Sequence, residues 1–492
     1  MSWFRVLSLC LLPVLQAGEF PSWKPIGPWG GAARVIRLDP AKPDTLMALA
    51  MRGTGVFRSR DGARSWSLLP SFPELANARL DCGWILPGKW LVGAAPGGLW
   101  SSLDEGEHWK VVPGTERLSI YAITAWPKDP RVLAAGTNEG VWASNDAGNT
   151  WRRISPKTID DLAAIVSVAF DPEKAGTIFA GTPHLPWKTT NGGTTWQKAH
   201  VGMFDDSDIF SIVVDPTRQG RVFASACSGI YCSLNAGGAW RRVQGIPGNN
   251  RRTYVVAQSP HNPNLLFAGT SAGMWSSRDG GLVWKKLNEF VATSIAFHPI
   301  DRQLFYISTE RHGLQRTRDE GASFEAVHEG FASRTLAALE AVGKSLFALS
   351  RYDGSFVKAG PDDKWLPASF RETRKEPASG DWFETATNPF NPNEQLRASR
   401  SGLAKTTDGG KSWRNVQNDW IRSVAYHPKR KGLCFALRQQ RVFWSPDSGE
   451  NWYWLPAQED PHLVFEKLVV DDQIFAISPN RGIYVQDIPE IR

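Results

Sequence analysis

Short runs of apolar and polar residues, separated by turns, recur along the whole chain. One such stretch runs from Ser294 to Pro299, continues with Leu304 to Ser308 and ends with Gly313 to Arg316. Runs of this length that are rich in β-branched and aromatic residues and bounded by Gly, Pro, Asn or Asp are typical of β-strands. No long segment shows helical periodicity. The pattern therefore predicts an all-β protein made of many short strands.

An octet with a small residue, Asp, Gly and an aromatic at fixed places follows every third strand of this pattern. Its clearest copy is Ser144 to Trp151, and Asn191 and Asn235 replace the Asp in two other copies. The copies end at Trp66, Trp109, Trp151, Trp196, Trp240, Trp284, Phe324, Trp365, Trp413 and Trp452, which lie 39 to 48 residues apart. This period is the length of one four-stranded propeller blade.

Each residue type in the octet has a structural role. The Asp carboxylate can accept hydrogen bonds from turn amides, Gly permits a positive φ, and the Ser or Thr hydroxyl adds a local bond. The aromatic side chain anchors the turn by burying its ring. We therefore expect these residues to be scaffold, and we exclude them from the candidate catalytic residues.

The octet resembles the Asp-box, or BNR, repeat of sialidases, xyloglucanase-type glycosidases, sortilin-type receptors and photosystem II assembly factors. The resemblance implies a β-propeller. Ser22 to Ile26 is similar to a fourth strand, and Lys467 to Gln486 supplies three strands, so the two ends are expected to share a closing blade. We therefore predict about 10–11 blades in one large ring. The alternative is two smaller propellers, divided near residues 371–380.

The first residues are similar to a secretory signal peptide. Arg5 ends a short basic region, an apolar run spans Val6 to Leu15, and Ala17 offers a small residue for cleavage. We predict a signal peptide over residues 1–17 and a propeller over 18–492, secreted or periplasmic. No transmembrane segment is expected after cleavage, and the protein is expected to be a monomer.

Composition and charge narrow the choice of partners. The net charge is +7, or +6 without Arg5, and the basic residues are scattered along the chain. Nucleic-acid binding needs a continuous basic face, so it is not expected. The nine histidines show no metal-ligand spacing, and neither a metal nor a cofactor is expected. Gly269 to Gly273 matches the G-x-S-x-G pattern of hydrolases, but it corresponds to a turn between two strands.

Cys227 and Cys232 flank a short turn. Given export, a small disulfide between them is one interpretation, and two buried thiols are the other.

Ligand-binding residues are expected where the copies differ, on the face that carries the turns between second and third strands. Acidic, basic and aromatic side chains occur together there and can hold a sugar or a peptide. The candidate ligand-binding residues are His184, Trp187, Asp205, Asp206, Asp208, Glu310, Arg311, His312, Arg351 and Tyr352.

Two functions follow from these features. The main interpretation is an exported, non-catalytic binding or assembly scaffold that presents these loops to a protein or polysaccharide. The alternative is a glycoside hydrolase of sialidase or xyloglucanase-like type, which normally needs two carboxyl groups. Xyloglucanase-like enzymes carry an Asp in the second turn of the first blade, where this chain has Met51 to Gly55. Asp353 lies in a comparable turn of a later blade and is the candidate catalytic residue.

Overall fold

The structure is a computed structural model of the full chain. It describes residues 22–53, 55–70, 75, 78–205, 207–248, 252–369, 382–438, 441–455 and 463–488. The predicted signal peptide at 1–17 and the segment 371–380 lie outside the described residues. The described part forms eleven four-stranded antiparallel sheets, each of which is one blade. The all-β propeller fold and the predicted blade count are therefore confirmed.

In blades one to ten, the strands follow one another in sequence order from one edge of the sheet to the other. Blade one comprises Ala33–Leu38, Leu46–Ala50, Val56–Ser59 and Ser67–Leu68, and blade two comprises Arg79–Leu86, Lys89–Ala95, Gly98–Ser102 and Lys110–Val111. Blade three comprises Ile120–Trp126, Asp129–Thr137, Gly140–Ser144 and Arg152–Arg153. Blade four comprises Ser167–Phe170, Ile178–Thr182, Leu185–Thr189 and Gln197–Lys198. Blade five comprises Ile209–Val214, Val222–Ala226, Gly229–Ser233 and Arg241–Arg242. Blade six comprises Thr253–Gln258, Leu266–Thr270, Gly273–Ser277 and Lys285–Asn288. Blade seven comprises Ala292–Phe297, Phe305–Thr309, Leu314–Thr317 and Glu325–Ala326.

Blade eight comprises Leu336–Val342, Ser345–Ser350, Gly354–Lys358 and Leu366–Ala368. Blade nine comprises Trp382–Asn388, Asn391–Ser399, Gly402–Thr406 and Arg414–Gln417. Blade ten comprises Ile421–Tyr426, Cys434–Arg438, Arg441–Ser445 and Tyr453–Trp454. Two short strands, Gly30–Gly31 and Ala332–Ser333, pair in parallel, and one 3-10 helix spans Asp160–Leu162.

The eleventh blade combines both ends of the chain. Its strands Lys467–Val470, Gln473–Ser478 and Gly482–Asp487 are completed by Lys24–Gly27, which pairs with the third of them. The predicted composite blade is therefore confirmed.

The first seven blades close on themselves. The hydroxyl of Thr293 in blade seven donates to the Ala33 carbonyl of blade one at 2.7 Å, and Arg37 donates to Ser294 at 2.8 Å. Residues of blades one and seven, including Phe57 and Tyr306, share one hydrophobic core. The expected single ring of ten or eleven blades is therefore wrong, because the seventh blade already packs against the first. The other four blades are not among the seven that close this ring, which favours the alternative of more than one propeller over a single large ring.

The chain divides into two compact units. The first contains Ile26–Thr373 with Pro479–Gly482 and holds blades one to eight. The second contains Arg374–Ser478, Ile483–Arg492 and the residues up to Pro25, and holds blades nine and ten with most of blade eleven.

The octets form the predicted hydrogen-bonded turns. In the copy that ends at Trp151, the Asp146 carboxylate accepts the Thr150 amide at 2.9 Å and the Thr150 hydroxyl at 2.6 Å, while the Ser144 hydroxyl accepts the Gly148 amide. Asn191 accepts the corresponding amide, from Thr195, at 2.9 Å. A neutral side chain thus makes the same hydrogen bond as the carboxylate, as expected for a structural position.

Several octet tryptophans join neighbouring blades. The indole N–H of Trp240 in blade five donates to the Ala199 carbonyl at the end of blade four, at 2.8 Å. Trp66 of blade one makes the equivalent bond to the Val327 carbonyl at the end of blade seven, at 2.7 Å. Both rings are buried. These two bonds therefore link blade five to blade four and blade one to blade seven.

The octet carboxylates predict an acid-sensitive fold. Hydrogen bonds from the Ser323 hydroxyl and amide and from the Thr317 hydroxyl lower the pKa of Asp319 to about 2, and similar bonds lower the pKa of Asp408. Because the folded pKa lies below the unfolded value of about 3.9, this stabilisation is present above pH 4 and is lost as the pH falls toward 2.

We expect the thermal unfolding midpoint, followed by circular dichroism, to fall over this interval. A variant carrying Asp319→Asn and Asp408→Asn should lose less of its midpoint between pH 4 and pH 2. Identical pH profiles for the two proteins would contradict the assignment.

Candidate functional site

The turns between second and third strands and the connections between blades lie on one face of the seven-blade ring. Each first strand begins beside the end of the second, as the pairing of Ala33 with Ala50 shows, so the following turn and the incoming connection meet there. The octets lie at the opposite end of the strands. We call the first surface the turn face.

One group of predicted site residues lies on the turn face at blades four and five. The Leu185 amide in the turn after His184 donates to the Ser207 carbonyl at 3.1 Å, and the Cys227 amide donates to the Asp208 carbonyl at 3.2 Å. His184 and Asp205 are exposed and Asp208 is half-buried, whereas Asp206 lies outside the described residues. The structure therefore brings the 184 turn and the 205–208 connection together.

Trp187 does not belong to this surface. Its ring is only 6% exposed and packs with Val168 and Phe170 in a hydrophobic core, while the Lys198 ammonium lies 5.5 Å from its centroid. Because Trp187 lies in the third strand of blade four, its side chain packs into the hydrophobic core between blades. The expectation that Trp187 contacts a ligand is therefore wrong.

The proposed disulfide is also wrong, because Cys227 and Cys232 are both free thiols. Ala226 pairs with Gly229, which places Cys227 in the turn itself, and Cys232 pairs with Phe223 further along the strands. The two cysteines therefore do not occupy opposed positions. The Cys232 thiol is partly buried, and burial raises its pKa.

A second group lies where blades one, seven and eight meet on the turn face. We call it the junction cluster, and it consists of Arg52, His312, His328, Arg334, Tyr352 and Asp353. Two of its members, Arg334 and Asp353, form an ion pair at 3.4 Å whose side chains are 8% and 2% exposed. The Ser350 hydroxyl also donates to the Asp353 carboxylate, at 3.1 Å, and the second oxygen of that carboxylate is buried without a hydrogen-bond partner.

Backbone contacts near the start of the described chain hold Arg334 in place. Gly30 and Gly31 pair in parallel with Ala332 and Ser333, and a Cβ on Gly31, whose φ is +99°, would lie 2.6 Å from the Ser333 carbonyl. The Trp29 carbonyl then accepts the Arg334 Nε at 3.1 Å. Glycine is therefore required at position 31 for the two segments to approach.

Arg52 joins the junction cluster through its contact with Tyr352. Its guanidinium lies 3.9 Å from the ring centroid of Tyr352, which is 55% exposed, and one terminal nitrogen of Arg52 is buried without a hydrogen-bond partner. Sequence reasoning noted Arg52 only as a departure from an acidic position. Its pairing with the turn of Asp353 joins segments 300 residues apart, and no local pattern signals it.

Two histidines in the junction cluster have low pKa values. Burial and the neighbouring Arg334 lower the pKa of His328 to about 4. Burial and Arg334 also lower the pKa of His312, and the Asp353 charge opposes this only in part. Both imidazoles are therefore neutral at pH 7. His328 was not a predicted site residue, and it approaches this turn face only because blade seven closes the ring.

The junction cluster offers hydrogen-bond donors and an aromatic face within a small area. Arg52 can donate, and the exposed Tyr352 can stack on a sugar ring, whereas the Asp353 side chain is only 2% exposed and its unpartnered oxygen is buried. Among the residues that the structure describes, no group of three or more His, Cys, Asp or Glu side chains can hold a metal ion. No helix in the described part is long and apolar enough to cross a membrane.

Comparison with curated proteins finds two xyloglucanases. An oligoxyloglucan-reducing end-specific xyloglucanase from Emericella nidulans is 26% identical over 162 residues, which is 26% of this chain and 20% of that protein. A probable enzyme of the same name from Neosartorya fischeri is 28% identical over 120 residues, 23% of this chain and 15% of that protein. The matches thus span a fifth or less of these relatives. No protein-family model matches the chain.

Solved structures show the same fold. The GH74 xyloglucanase from Xanthomonas campestris superposes with a TM-score of 0.60 at 16% identity, over 95% of this chain and 87% of that one. An ancestral GH74 enzyme gives a TM-score of 0.61 at 14% identity, over 96% and 99% of the two chains. At these identities the likeness shows the fold alone, which is a β-propeller.

Proposed function

We propose that this protein is a glycoside hydrolase of xyloglucanase-like type that acts on a β-linked glucan bound at the junction cluster. The observation that carries the proposal is Asp353, a carboxylate fixed by Arg334 and Ser350 with one unpartnered oxygen, on a turn beside an exposed tyrosine. The matched curated relatives are both named as xyloglucanases, which supports a polysaccharide substrate. The comparisons thus favour the alternative function over the non-catalytic scaffold.

Hydrolysis of a glycosidic bond in this class uses two carboxyl groups, one on each side of the bond. We assign one of these roles to Asp353, which its ion pair with Arg334 keeps oriented. Because its side chain is 2% exposed, the turn that carries Tyr352 has to move aside before this carboxylate can meet a glucan. Glu310 lies in the turn that also carries His312, and it is the second carboxylate that we assign to the reaction. Tyr352 and Arg52 then bind the sugar ring and its hydroxyls.

Sugar binding without hydrolysis is the second candidate, and one observation favours it. Xyloglucanase-like enzymes carry an Asp in the second turn of the first blade, whereas this chain has Arg52 there, stacked on Tyr352. A cation in that place provides hydrogen-bond donors but no acid or base. The two candidates differ in turnover and share the binding surface.

Measurement of xyloglucan hydrolysis distinguishes a glycoside hydrolase from a protein that only binds the sugar. We expect purified protein to release reducing ends from xyloglucan oligosaccharides, and Asp353→Asn to lower the rate at least 100-fold, because general acid–base or nucleophilic groups contribute about this much or more. Asp319→Asn on the opposite face is the matched control, since Asn already serves in two octets, and its rate should match the unmodified protein.

Calorimetric binding of the same oligosaccharide completes this test. Binding without release of reducing ends would reject hydrolysis and favour the second candidate. Absence of both binding and release would reject the junction cluster as a glucan site.

A further inference from the structure

The first strands of the seven-blade ring share an irregularity. In six blades the pairing of the first with the second strand skips one residue at the same place, next to the turn face. In blade four Val166 takes the same place, just before the strand Ser167–Phe170, and its amide donates to the Gly181 carbonyl. The seven residues are Arg34, Asp81, Tyr121, Val166, Phe210, Tyr254 and Thr293, and we call them the channel-mouth ring.

These residues surround the centre of the propeller. First strands of neighbouring blades contact one another all the way round, so they are the innermost strands. Each residue of the channel-mouth ring is half-buried, and the residue before each one is fully buried. A bulge re-aims a side chain away from the ladder, and bulges are frequent next to binding sites. Six aligned bulges and Val166 of blade four therefore present a ring of side chains at the channel opening.

One side of the channel-mouth ring is aromatic. The rings of Phe210 and Tyr254, in adjacent blades, lie 6.0 Å apart at 48° to each other. The exposed guanidinium of Arg252 lies 5.0 Å from the Phe210 centroid and 5.8 Å from that of Tyr254. Among the described residues, Arg252 has no acidic ion-pair partner. Within the described part of the chain, this cation on two aromatic faces therefore has no acidic side chain in ion-pair contact.

The other side of the channel-mouth ring is charged. Arg79 pairs with Asp81 at 2.7 Å, and Arg34 approaches the same carboxylate at 3.3 Å. One carboxylate therefore serves two guanidinium groups. At the ring positions and two residues before them, Arg34, Arg79 and Arg252 carry three positive charges, and Asp81 and Asp208 carry two negative charges. The excess of one positive charge favours an anionic ligand.

We propose that the channel-mouth ring binds an acidic oligosaccharide through a uronic acid unit. The pyranose ring packs on Phe210 and Tyr254, and the sugar carboxylate pairs with Arg252. Aromatic faces suit the C–H face of a sugar, and guanidinium suits the planar carboxylate, which favours this ligand over a neutral glycan. This site takes a different ligand from the junction cluster, and it does not depend on hydrolysis at Asp353.

Calorimetry with defined probes tests this inference. We expect a galacturonate trimer to bind at least tenfold more tightly at low salt than its carboxyl-reduced, neutral counterpart. Arg252→Met should abolish the preference and weaken binding of the acidic trimer at least tenfold. Arg302→Met, an exposed arginine on a turn at the opposite face, is the matched control and should leave both affinities unchanged. Tyr254→Ala should weaken binding of both trimers.

Three outcomes would overturn the inference: equal affinity for the acidic and neutral trimers, unchanged affinity in Arg252→Met, or tighter binding of an acidic peptide of equal charge than of the acidic trimer. The thermal unfolding midpoint of each variant confirms that it is folded. Release of reducing ends from xyloglucan is measured in parallel, so that failure of hydrolysis and failure of uronate binding are separate results.

Discussion

Replacement of Arg334 by Met is expected to lower the free energy of unfolding by about 3–5 kcal/mol, because it leaves the Asp353 carboxylate buried without a counter-charge. The two side chains are 8% and 2% exposed, and the Asp353 carboxylate already has one oxygen without a hydrogen-bond partner. Water therefore cannot replace the lost cation in the folded state. Urea unfolding, with the midpoint and slope measured together, is the experiment that reports this loss.

An exposed ion pair provides the control for Arg334→Met. Arg278 and Glu320 lie 3.2 Å apart, with side chains 60% and 32% exposed. Since exposed pairs contribute about 0–1 kcal/mol, Arg278→Met should change stability by less than about 1 kcal/mol. Equal losses in the two variants would show that burial of Asp353 is not the cause.

Removal of both charges distinguishes the lost ion pair from lost packing. In Arg334→Met combined with Asp353→Asn, no charge is left buried, and we expect at least half of the stability to return. The residual loss reflects the contact between Arg334 and the Phe356 ring, at 4.3 Å from its centroid. A double variant as unstable as Arg334→Met would contradict this explanation.

Local patterns predicted the blades well because a blade is built from local interactions. The octet from Ser144 to Trp151 closes on itself through bonds that span four residues or fewer, so residue types at fixed spacing identify it. Joining Lys24–Gly27 to the last three strands was also predictable, because each end alone forms an incomplete blade.

The size of the ring was not predictable in this way. Each blade packs on the next through the same kinds of apolar side chains, whether the ring closes after seven blades or after eleven. Closure depends on contacts such as Thr293 with Ala33, which join distant segments and leave no periodic signal. Position in the repeat therefore predicts strand order but does not predict which blade meets the first.

In the candidate site, too, residues in local patterns were predictable and residues brought together by distant contacts were not. Asp353, Tyr352 and His312 were identified because their turns differ from the repeat, and the structure places them in one cluster. Arg334 and His328 were missed, because they lie in the connection after blade seven and their neighbours, Asp353 for Arg334 and Gly30 for both, are distant in sequence. Trp187 was misjudged, since an aromatic in a turn segment gives no indication of whether it points into the core.

Because Trp66 packs where blade seven meets blade one, its replacement is expected to lower the stability of the protein. Its ring is 5% exposed, donates to the Val327 carbonyl and lies 6.5 Å from the ring of Phe331. Trp66→Ala should therefore destabilise the protein by about 3–5 kcal/mol, as burial of an aromatic side chain implies. Leu103→Ala, at a side chain 79% exposed, should change stability by less than about 0.5 kcal/mol.

Coupling between variants then tests which blades are joined. Trp66 contacts Phe331, so the effects of Trp66→Ala and Phe331→Ala should deviate from additivity by about 0.5–3 kcal/mol in a double-mutant cycle. Trp240 makes its equivalent bond between blades four and five, so Trp66→Ala and Trp240→Ala should be additive within about 0.5 kcal/mol. Additivity of the first pair would contradict closure of the ring at seven blades, because residues 66 and 331 are neighbours only if blade seven precedes blade one in space.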